Sequence, residues 1–356
     1  MLKAIQAARQ SIELEVYIYA GDALGSGFRE ALVAAQLRGV SVRVMVDAFG
    51  SIALAMSFWQ PLLEAGGQAR WFNPLLHKRL GYRDHRKMLV CDRSVAFVGG
   101  YNITNQWEGD GIFKGWCDLG MLVRGPLAGH LSDAFGTMFE VAAMEHPPFA
   151  KWRRSTARRD IRSRDGELLL SGPGLGRNPF KRQLYEDLRE ARDVCIIAAY
   201  FLPTWRIRRE LMNVVKRGGK VRLILAGKTD VRISQYAARS LYRRLLKAGV
   251  EIHEYQPQIL HAKLIVIDRK TYVGSANLDP RSLGINYEVM LRFKQSDIAA
   301  EARTIFQDKL PHSKRIELEA WSKGRTWWRR LRQKWSYFIL ARLDPMVVRW
   351  RHNRMS

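Results

Sequence analysis

Cysteine is nearly absent from this chain. Three of 356 residues, Cys91, Cys117 and Cys195, form an odd set with no C-x-x-C pair. That excludes a disulfide scaffold and argues against a structural zinc site, and it favours a reducing compartment. No uncharged run approaches the roughly 18 apolar residues of a membrane span, so any contact with a membrane is expected from its side. The first residues, MLKAIQAARQ, lack an apolar core followed by a small-residue cleavage site, and no secretory signal is expected. Acid is also scarce. Asp and Glu number 34 against 59 Lys and Arg, a formal net charge of +25. Such an excess points to an anionic partner, whether nucleic acid, anionic lipid headgroups or small phosphates, without choosing among them. What the chain does have is apolar material, 47 % of its residues, enough for substantial cores.

The apolar segments repeat in order. A helical stretch ending near Arg9 precedes IELEVYIYA, and LYEDLREARD precedes VCIIAAYF. The helix-like GFREALVAAQLRG and WRIRRELMNVVKRGG each stop at glycine. VSVRVMVDAF and KVRLILAG follow as strands, then the helical FWQPLLEAGG and YAARSLYRRLLKAG, then the short runs ARWFNP and EIHEYQP. Strand, helix, strand, helix, strand predicts an α/β fold: two mainly parallel sheets flanked by helices, with one active site between the halves. The halves are placed at 1–145 and 168–310, with a basic connector at 146–167 and a basic, aromatic tail at 311–356. The connector is expected on the surface, where it could also meet phosphate or lipid headgroups.

Each half then carries one copy of H-x-K-x4-D. DHRKMLVCDRSVAFVGGYN supplies His85, Lys87, Asp92, Gly99, Gly100 and Asn102; LHAKLIVIDRKTYVGSANLD supplies His261, Lys263, Asp268, Gly274, Ser275 and Asn277. Residues two apart on a strand share a face, so His and Lys face together while Arg86 and Ala262 face away. Asp92 and Asp268 sit at a turn, poorly placed by parity to hold their own histidine, and read as structural carboxylates that pair with cations or cap backbone amides. The glycines allow close backbone approach, and the asparagines can present a donor to the same cleft. Two such halves face to face would gather two imidazoles, two ammoniums and two amides around one tetrahedral anion, with cations supplying the electrostatic stabilisation. Two histidines suit two roles, one attacking phosphorus and one protonating the leaving oxygen. Asp118, in GWCDLGMLVRG, and Glu288, in LGINYEVMLRF, hold equal places in the repeat and can fix an imidazole tautomer. A single H-x-K-x4-D is a weak signal; two in register, each followed by Gly-Gly or Gly-Ser and then Asn, are a specific one. No cluster has metal-ligand spacing, so no metal and no cofactor is expected. His77 lies in an insertion of the first half expected to wall the cleft, and His253 reads as structural or exposed.

These residues resemble the phospholipase D superfamily over roughly residues 1–310. His85, Lys87, Asp92 and Asn102 match its first motif, and His261, Lys263, Asp268, Gly274, Ser275 and Asn277 its second. The resemblance implies a duplicated phospholipase D-like fold, both motifs, Asp92 and Asp268 included, meeting at one catalytic site, and a covalent phosphohistidine intermediate. It implies that Lys87, Lys263, Asn102 and Asn277 bind phosphate and that Glu288, with Asp118 by repeat position, orients the histidines. HRKMLVCDRSVAFVGGYNI, VGSANLDPRSLGINYEVML and IELEVYIY bring the chain nearest the short bacterial cardiolipin synthases without transmembrane helices. Two departures stand out. Gly99-Gly100 replaces Gly-Ser, and the second copy is one residue shorter between Asp268 and Gly274, which should alter the turn more than the His-Lys pair.

In the tail, Trp328, Leu331, Trp335 and Phe338 recur at helical spacing among Arg325, Arg329, Arg332 and Lys334. That mixture suits an interfacial helix on anionic lipid; docking on the body by its apolar side and stacking on single-stranded nucleic acid are the competing readings. The resulting expectation is a peripheral enzyme on the cytoplasmic face of a bacterial membrane. It would move phosphatidyl from one phosphatidylglycerol to another, with His85 as nucleophile and His261 as general acid and base, an order the repeat symmetry does not fix. No stable nucleic-acid partner is expected. Hydrolysis of phospholipid or nucleic acid, and a non-catalytic basic adaptor, remain the alternatives. A nuclease would show a continuous basic groove, and a synthase an apolar groove opening beside the tail.

Overall fold

In the computed structural model, residues 1–74, 81–143, 159–173, 178–324 and 326–343 are described. His77, Arg325, most of the connector and the tail beyond 343 lie outside them. The first half runs α1 (Leu2–Ala7), β1 (Ser11–Val16), α2 (Ala23–Leu37), β2 (Ser41–Asp47), α3 (Gln60–Glu64), β3 (Gln68–Phe72), β4 (Met88–Cys91), β5 (Val95–Gly99), β6 (Gly120–Arg124) and α4 (Pro126–Ala143). The second runs β7 (Arg159–Arg162), β8 (Glu167–Ser171), α5 (Pro179–Glu190), β9 (Asp193–Ala198), α6 (Trp205–Lys216), β10 (Lys220–Ala226), α7 (Arg232–Lys247), β11 (Glu251–Tyr255), β12 (Lys263–Ile267), β13 (Lys270–Gly274), β14 (Glu288–Phe293), α8 (Ser296–Lys309) and β15 (Ser313–Arg315). The tail adds α9 (Leu318–Lys323) and α10 (Trp327–Phe338).

Local chemistry sets the helix ends. The Asp22 side chain accepts from Gly25 N at the start of α2, and Thr204 caps α6 in the same way. Both helices end where the sequence offers glycine: Gly39 and Gly218 take φ of +89° and +85°, a conformation that costs a side chain energy and glycine little.

The sheets repeat one order. The first is β3-β2-β1-β4-β5-β6, and the second contains β11-β10-β9-β12-β13-β14, extended by β15 at one edge and by β8-β7 at the other. Here the expectation of mainly parallel sheets is overturned. Among the described strands, only β1 with β2, β2 with β3, β9 with β10 and β10 with β11 run parallel; every other pair is antiparallel. The strand-helix alternation does produce parallel pairing, but it stops at the third strand of each half. The motif strands β4 and β12 return beside β1 and β9 and continue through tight turns into β5 and β13, connections too short for a crossover. Asp92, Arg93 and Asp268 take positive φ in those turns, and the turn after β12 is one residue shorter than that after β4.

The apolar faces account for the layering. Ile5, Phe28, Leu32 and Trp59 cover β1 and β2 on one side of the first sheet, and Leu184, Leu211, Leu241 and Leu245 do the same for the second. A third core joins the halves: Leu131, Phe135 and Phe139 of α4 pack with Met88 and Val90 and also with Leu168, Val289 and Leu291 of the second sheet. A fourth places Cys117 of the first half among Ile197, Leu264 and Phe306 of the second. Cys91, Cys117 and Cys195 are free and buried.

One buried ionic knot pins the second half. Arg292 on β14, 3 % exposed, reaches both oxygens of Asp187 on α5 (2.8 and 2.9 Å) and also Glu167 on β8. Tyr272 and Lys270 complete the shell around Asp187. Removing the guanidinium strands two carboxylates in the interior. Arg292→Met is therefore expected to lower the unfolding free energy by about 3 kcal/mol, read as a fall in the urea midpoint at neutral pH; an unchanged midpoint would show the knot to be neutral.

Candidate active site

The motif strands do not keep their own carboxylates. The segment before β4 bridges to the start of β14, Asp84 opposite Tyr287, with His85 N donating to Tyr287 O (3.0 Å) and Tyr287 N to Arg83 O (2.9 Å). In the reciprocal place Cys117 bridges to Leu260, and the His261 N–H donates to Cys117 O (2.7 Å). Each half thus hands its histidine to the other half's carboxylate. His85 Nδ1 lies 3.0 and 3.1 Å from the two oxygens of Glu288, and His261 Nδ1 lies 2.7 Å from Asp118 Oδ2. A carboxylate oxygen can only accept here, so each Nδ1 carries the proton and each Nε2 keeps its lone pair. Lys263 Nζ approaches both ring nitrogens of His261, at 2.8 and 3.2 Å. Nδ1, donating to Asp118, has no lone pair for the ammonium, so that approach acts through charge, whereas Nε2 accepts from Lys263 Nζ.

Both lysines are anchored locally, Lys87 Nζ to His85 O (2.8 Å) and Lys263 Nζ to His261 O. Asn102 is buried and its Oδ1 accepts from Ile18 N (3.0 Å), which leaves the Nδ2 donor for a ligand. Asn277 is equally buried, and its Oδ1 has no hydrogen-bond partner among the described residues.

Burial dominates the electrostatics. It drops His85 to about 4, Lys87 adding to the effect while Glu288 opposes it. His261 is lowered by burial and by Lys263 against the pull of Asp118. Burial also brings Lys87 down to about 7 and Lys263 to about 8, although Glu288 and Asp118 pull both upward. For the carboxylates burial works upward, but His85 and Lys87 outweigh it at Glu288, as His261 and Lys263 do at Asp118, and both stay below their usual range. At neutral pH the cluster therefore holds two neutral imidazoles above two ionised carboxylates. It lacks the negative charge that would restore its cations, which a phosphodiester carries.

Asp92 and Asp268 stand apart from this cluster. Asp92 accepts from Arg9 N, Gln10 N and Ser11 N at 2.7–3.2 Å, and Asp268 from Arg192 N and Asp193 N at 3.1 and 2.9 Å. Each ties the turn after a motif strand to the start of the neighbouring strand, β1 or β9. Slight burial works upward on the Asp92 carboxyl, but the three amides prevail and hold it low.

Several neighbours were not legible as site residues. The Tyr17 ring lies 4.9 Å from that of His85 and 5.0 Å from Lys87 Nζ. Trp107 and Trp116 stack at 4.2 Å and lie 5.2 and 5.5 Å from the His261 ring. Tyr200, fixed by Asp230 at 2.7 Å, closes the same side at 6.4 Å. Trp107 also explains the Gly-Gly departure. Ser275 donates to Glu288, whereas the matching position is Gly100, where a Cβ would collide with the Asp118 carboxylate. Trp107 Nε1 takes over the serine's part, donating to Asp118 Oδ2 at 2.7 Å. Only the repeat mismatch hinted at this. A cavity of about 320 Å³ reaches Asn102 and Asp118, walled by Leu24, Phe28, Trp107 and Trp116; its lining is first-half residues rather than the expected groove beside the tail.

The family described as "Cardiolipin synthase, PLD-like domain" matches residues 1–108 and 184–310, the stretches that carry both histidines and Glu288. The chain belongs to this family. Cardiolipin synthase 1 of Bacillus anthracis is 31 % identical over 337 residues, covering 91 % of this chain and 66 % of the relative. Cardiolipin synthase B of Salmonella typhi is 30 % identical over 362 residues, covering 98 % and 86 %. The crystal structure of phosphatidylserine synthase from Haemophilus influenzae Rd KW20 superposes with a TM-score of 0.75 over 97 % of this chain and 91 % of the other at 15 % identity, a likeness of fold. This chain spans about two thirds of the Bacillus anthracis protein. Phospholipase D-like phosphodiester chemistry is the activity class of the family.

Three outcomes test this geometry. Glu288→Gln and Asp118→Asn each keep their shape but lose the charge that supports an imidazolium, and each should lower kcat by roughly 10²–10⁴-fold. In the free enzyme kcat/KM should fall as pH rises through about 7 to 8, where Lys87 and Lys263 lose their protons, whereas kcat at saturating diester should fall later. Asp92→Ala should behave differently, costing about 1–2 kcal/mol of stability while the folded fraction turns over normally. That stabilisation is present above the carboxyl's unfolded value and is lost as pH falls through its depressed folded one. Thermal melts between neutral and acid pH read it directly.

Proposed function

We propose that this protein is a cardiolipin synthase that transfers phosphatidyl between two phosphatidylglycerol molecules through a phosphohistidine. The observation that carries the reading is the crossed pairing of His85 with Glu288 and His261 with Asp118. It makes two imidazoles whose Nε2 atoms keep their lone pairs part of one site, each sensing the lysines of both halves.

The diester's charge offsets what burial removed, so one imidazole can be protonated while the other stays neutral. His85 takes the nucleophile's part, because burial keeps its ring neutral and its Nε2 lone pair available at neutral pH. Its Nε2 attacks phosphorus, the bond to glycerol breaks, and the imidazolium of His261 gives its Nε2 proton to the departing oxygen. Phosphatidyl is then held on nitrogen. The terminal hydroxyl of a second phosphatidylglycerol loses its proton to His261 and attacks phosphorus, the P–N bond breaks, and His85 is regenerated. Two phosphatidylglycerols become cardiolipin and glycerol with no nucleotide consumed. Lys87, Lys263 and the amides of Asn102 and Asn277 hold the phosphoryl oxygens, and Asp118 and Glu288 orient the rings. Asp92 and Asp268 act at a distance, through the strand ends they pin.

The apolar wall of Leu24, Phe28, Trp107 and Trp116 beside Asp118 supports a lipid over a nucleic acid as substrate. The charge of +25 supports an anionic bilayer as the partner. None of the described helices is long and apolar enough to cross a membrane, and attachment from the cytoplasmic face is part of this proposal.

Purified protein with labelled phosphatidylglycerol vesicles, free of nucleotide, tests it. Labelled cardiolipin plus free glycerol, abolished in both His85→Ala and His261→Ala, is the expected result. Phosphatidic acid in place of cardiolipin would make the enzyme a hydrolase, and neither product would overturn the choice of donor.

A further inference from the structure

The tail helix α10 is packed the wrong way round for a soluble protein. A docked helix normally buries its apolar stripe. Here the face turned to α7 is Gln333, Ser336 and Tyr337, while Trp328, Leu331, Trp335 and Phe338, at i, i+3, i+7 and i+10, point to solvent. Trp328 is 64 % exposed and Trp335 is 56 % exposed. Contiguous exposed aromatics of this size mark an interaction surface.

Beneath the same helix lies a cavity of about 440 Å³ between α7, α9, α10 and β15. Arg239 and Arg315, on its wall, are neutralised by Glu254 and Glu317. Lys314, Arg329 and Arg332 also line it, and among the described residues they have no carboxylate partner; Arg332 instead lies over the Tyr236 ring at 4.3 Å. Trp321 lines it too, and its buried indole Nε1 has no hydrogen-bond acceptor among the described residues. Three unneutralised cations and an orphaned donor around an empty volume describe a receptor for an anion. Arg329 and Arg332 also border the groove of about 450 Å³ that runs between Trp328, Leu331 and Trp335, so the anion site and the apolar stripe are continuous.

The geometry points to a second lipid site, separate from the paired histidines: an anionic glycerophospholipid of the bilayer seats its phosphate among Lys314, Arg329, Arg332 and Trp321 Nε1. Its apolar portion lies along Trp328, Leu331 and Trp335. None of these residues lines or touches the His85 and His261 cluster, so the site holds the enzyme on the membrane without taking part in the chemistry. It rests on the membrane part of the proposed function and not on the identity of the reaction. Tryptophan at headgroup level and basic side chains reaching past it are the arrangement an interfacial helix requires.

Sedimentation of the full chain with vesicles of equal phosphatidylglycerol and phosphatidylcholine tests the site, with pure phosphatidylcholine vesicles as the neutral arm. Lys314→Gln/Arg329→Gln/Arg332→Gln should weaken binding to the anionic vesicles by roughly a hundredfold. Trp321→Phe, which removes the N–H together with part of the ring, should weaken it severalfold, and Trp335→Ser should weaken it on both vesicle types. Turnover of detergent-dispersed phosphatidylglycerol should be unchanged in all three, which also reports that they are folded. Unchanged vesicle binding in the triple variant and Trp321→Phe would overturn the site. So would displacement from vesicles by millimolar inorganic phosphate, which would make it a receptor for free phosphate. So would a single-stranded oligonucleotide whose binding, rather than vesicle binding, these variants abolish. If the reaction reading is wrong, the dispersed-substrate assay fails in the wild type while the vesicle results stand.

Discussion

Everything at the centre of this molecule depends on a trade of hydrogen-bond partners between its halves. His85 and His261 are placed by their own strands but held by the other half's carboxylate, and the backbone makes the same exchange through Tyr287 and Cys117. A histidine with its Nδ1 proton committed to an ionised carboxylate has a defined tautomer and a lone pair in a defined direction. Because the carboxylates cross over, that definition exists only when both sheets are folded and seated. The shared core of α4 with β14 and β8 supplies the seating. Seating of the two halves and competence of the site are therefore coupled, and disturbing the interface between them should loosen both rings.

Burial supplies the second constraint. Two ammoniums, two imidazoles and two carboxylates lie within a dry cluster, and such groups resist charge unless a counter-charge is near. The carboxylates are satisfied by the cations they face. The cations are under-satisfied, with Lys87 near 7 and Lys263 near 8. A bound phosphodiester completes the balance, so affinity for the anion and the protonation needed for its chemistry arise together. The anion site under α10 follows the same logic with less burial, where cations left unpaired await the charge of a ligand.

Much of the candidate site was legible because its polar residues recur at fixed places in a repeat. His85, Lys87 and Asn102 could be aligned with His261, Lys263 and Asn277 without any structure, and Asp118 with Glu288 by place alone. The strand direction was misjudged for a physical reason. Alternating strands and helices do dictate parallel neighbours, but that signal ends at β3 and β11, and the hairpins that follow are betrayed only by the short turns at Asp92 and Asp268. Nor does parity reveal which half a carboxylate serves, since that is a property of how the sheets meet. The aromatic shell of Tyr17, Trp107, Trp116 and Tyr200 was invisible for the same reason. Each is an ordinary strand or loop residue until the partner half arrives. The tail helix was readable as amphipathic, but which face it buries was set by α7, whose surface accepts Gln333 and Ser336 and leaves the tryptophans outside.

The exchange of Ser275 for Trp107 as donor to the orienting carboxylate carries a consequence for how such a protein changes over time. In an assembly of two identical copies every alteration at the seam is made twice, and both imidazoles stay equivalent by necessity. Joining the copies into one chain lifts that rule. A glycine can open space on one side, an indole can fill it from a neighbouring loop, and the other side keeps its hydroxyl. The two rings can then drift toward different proton affinities and so toward a division of labour, while the pseudo-twofold frame that holds them stays as it was.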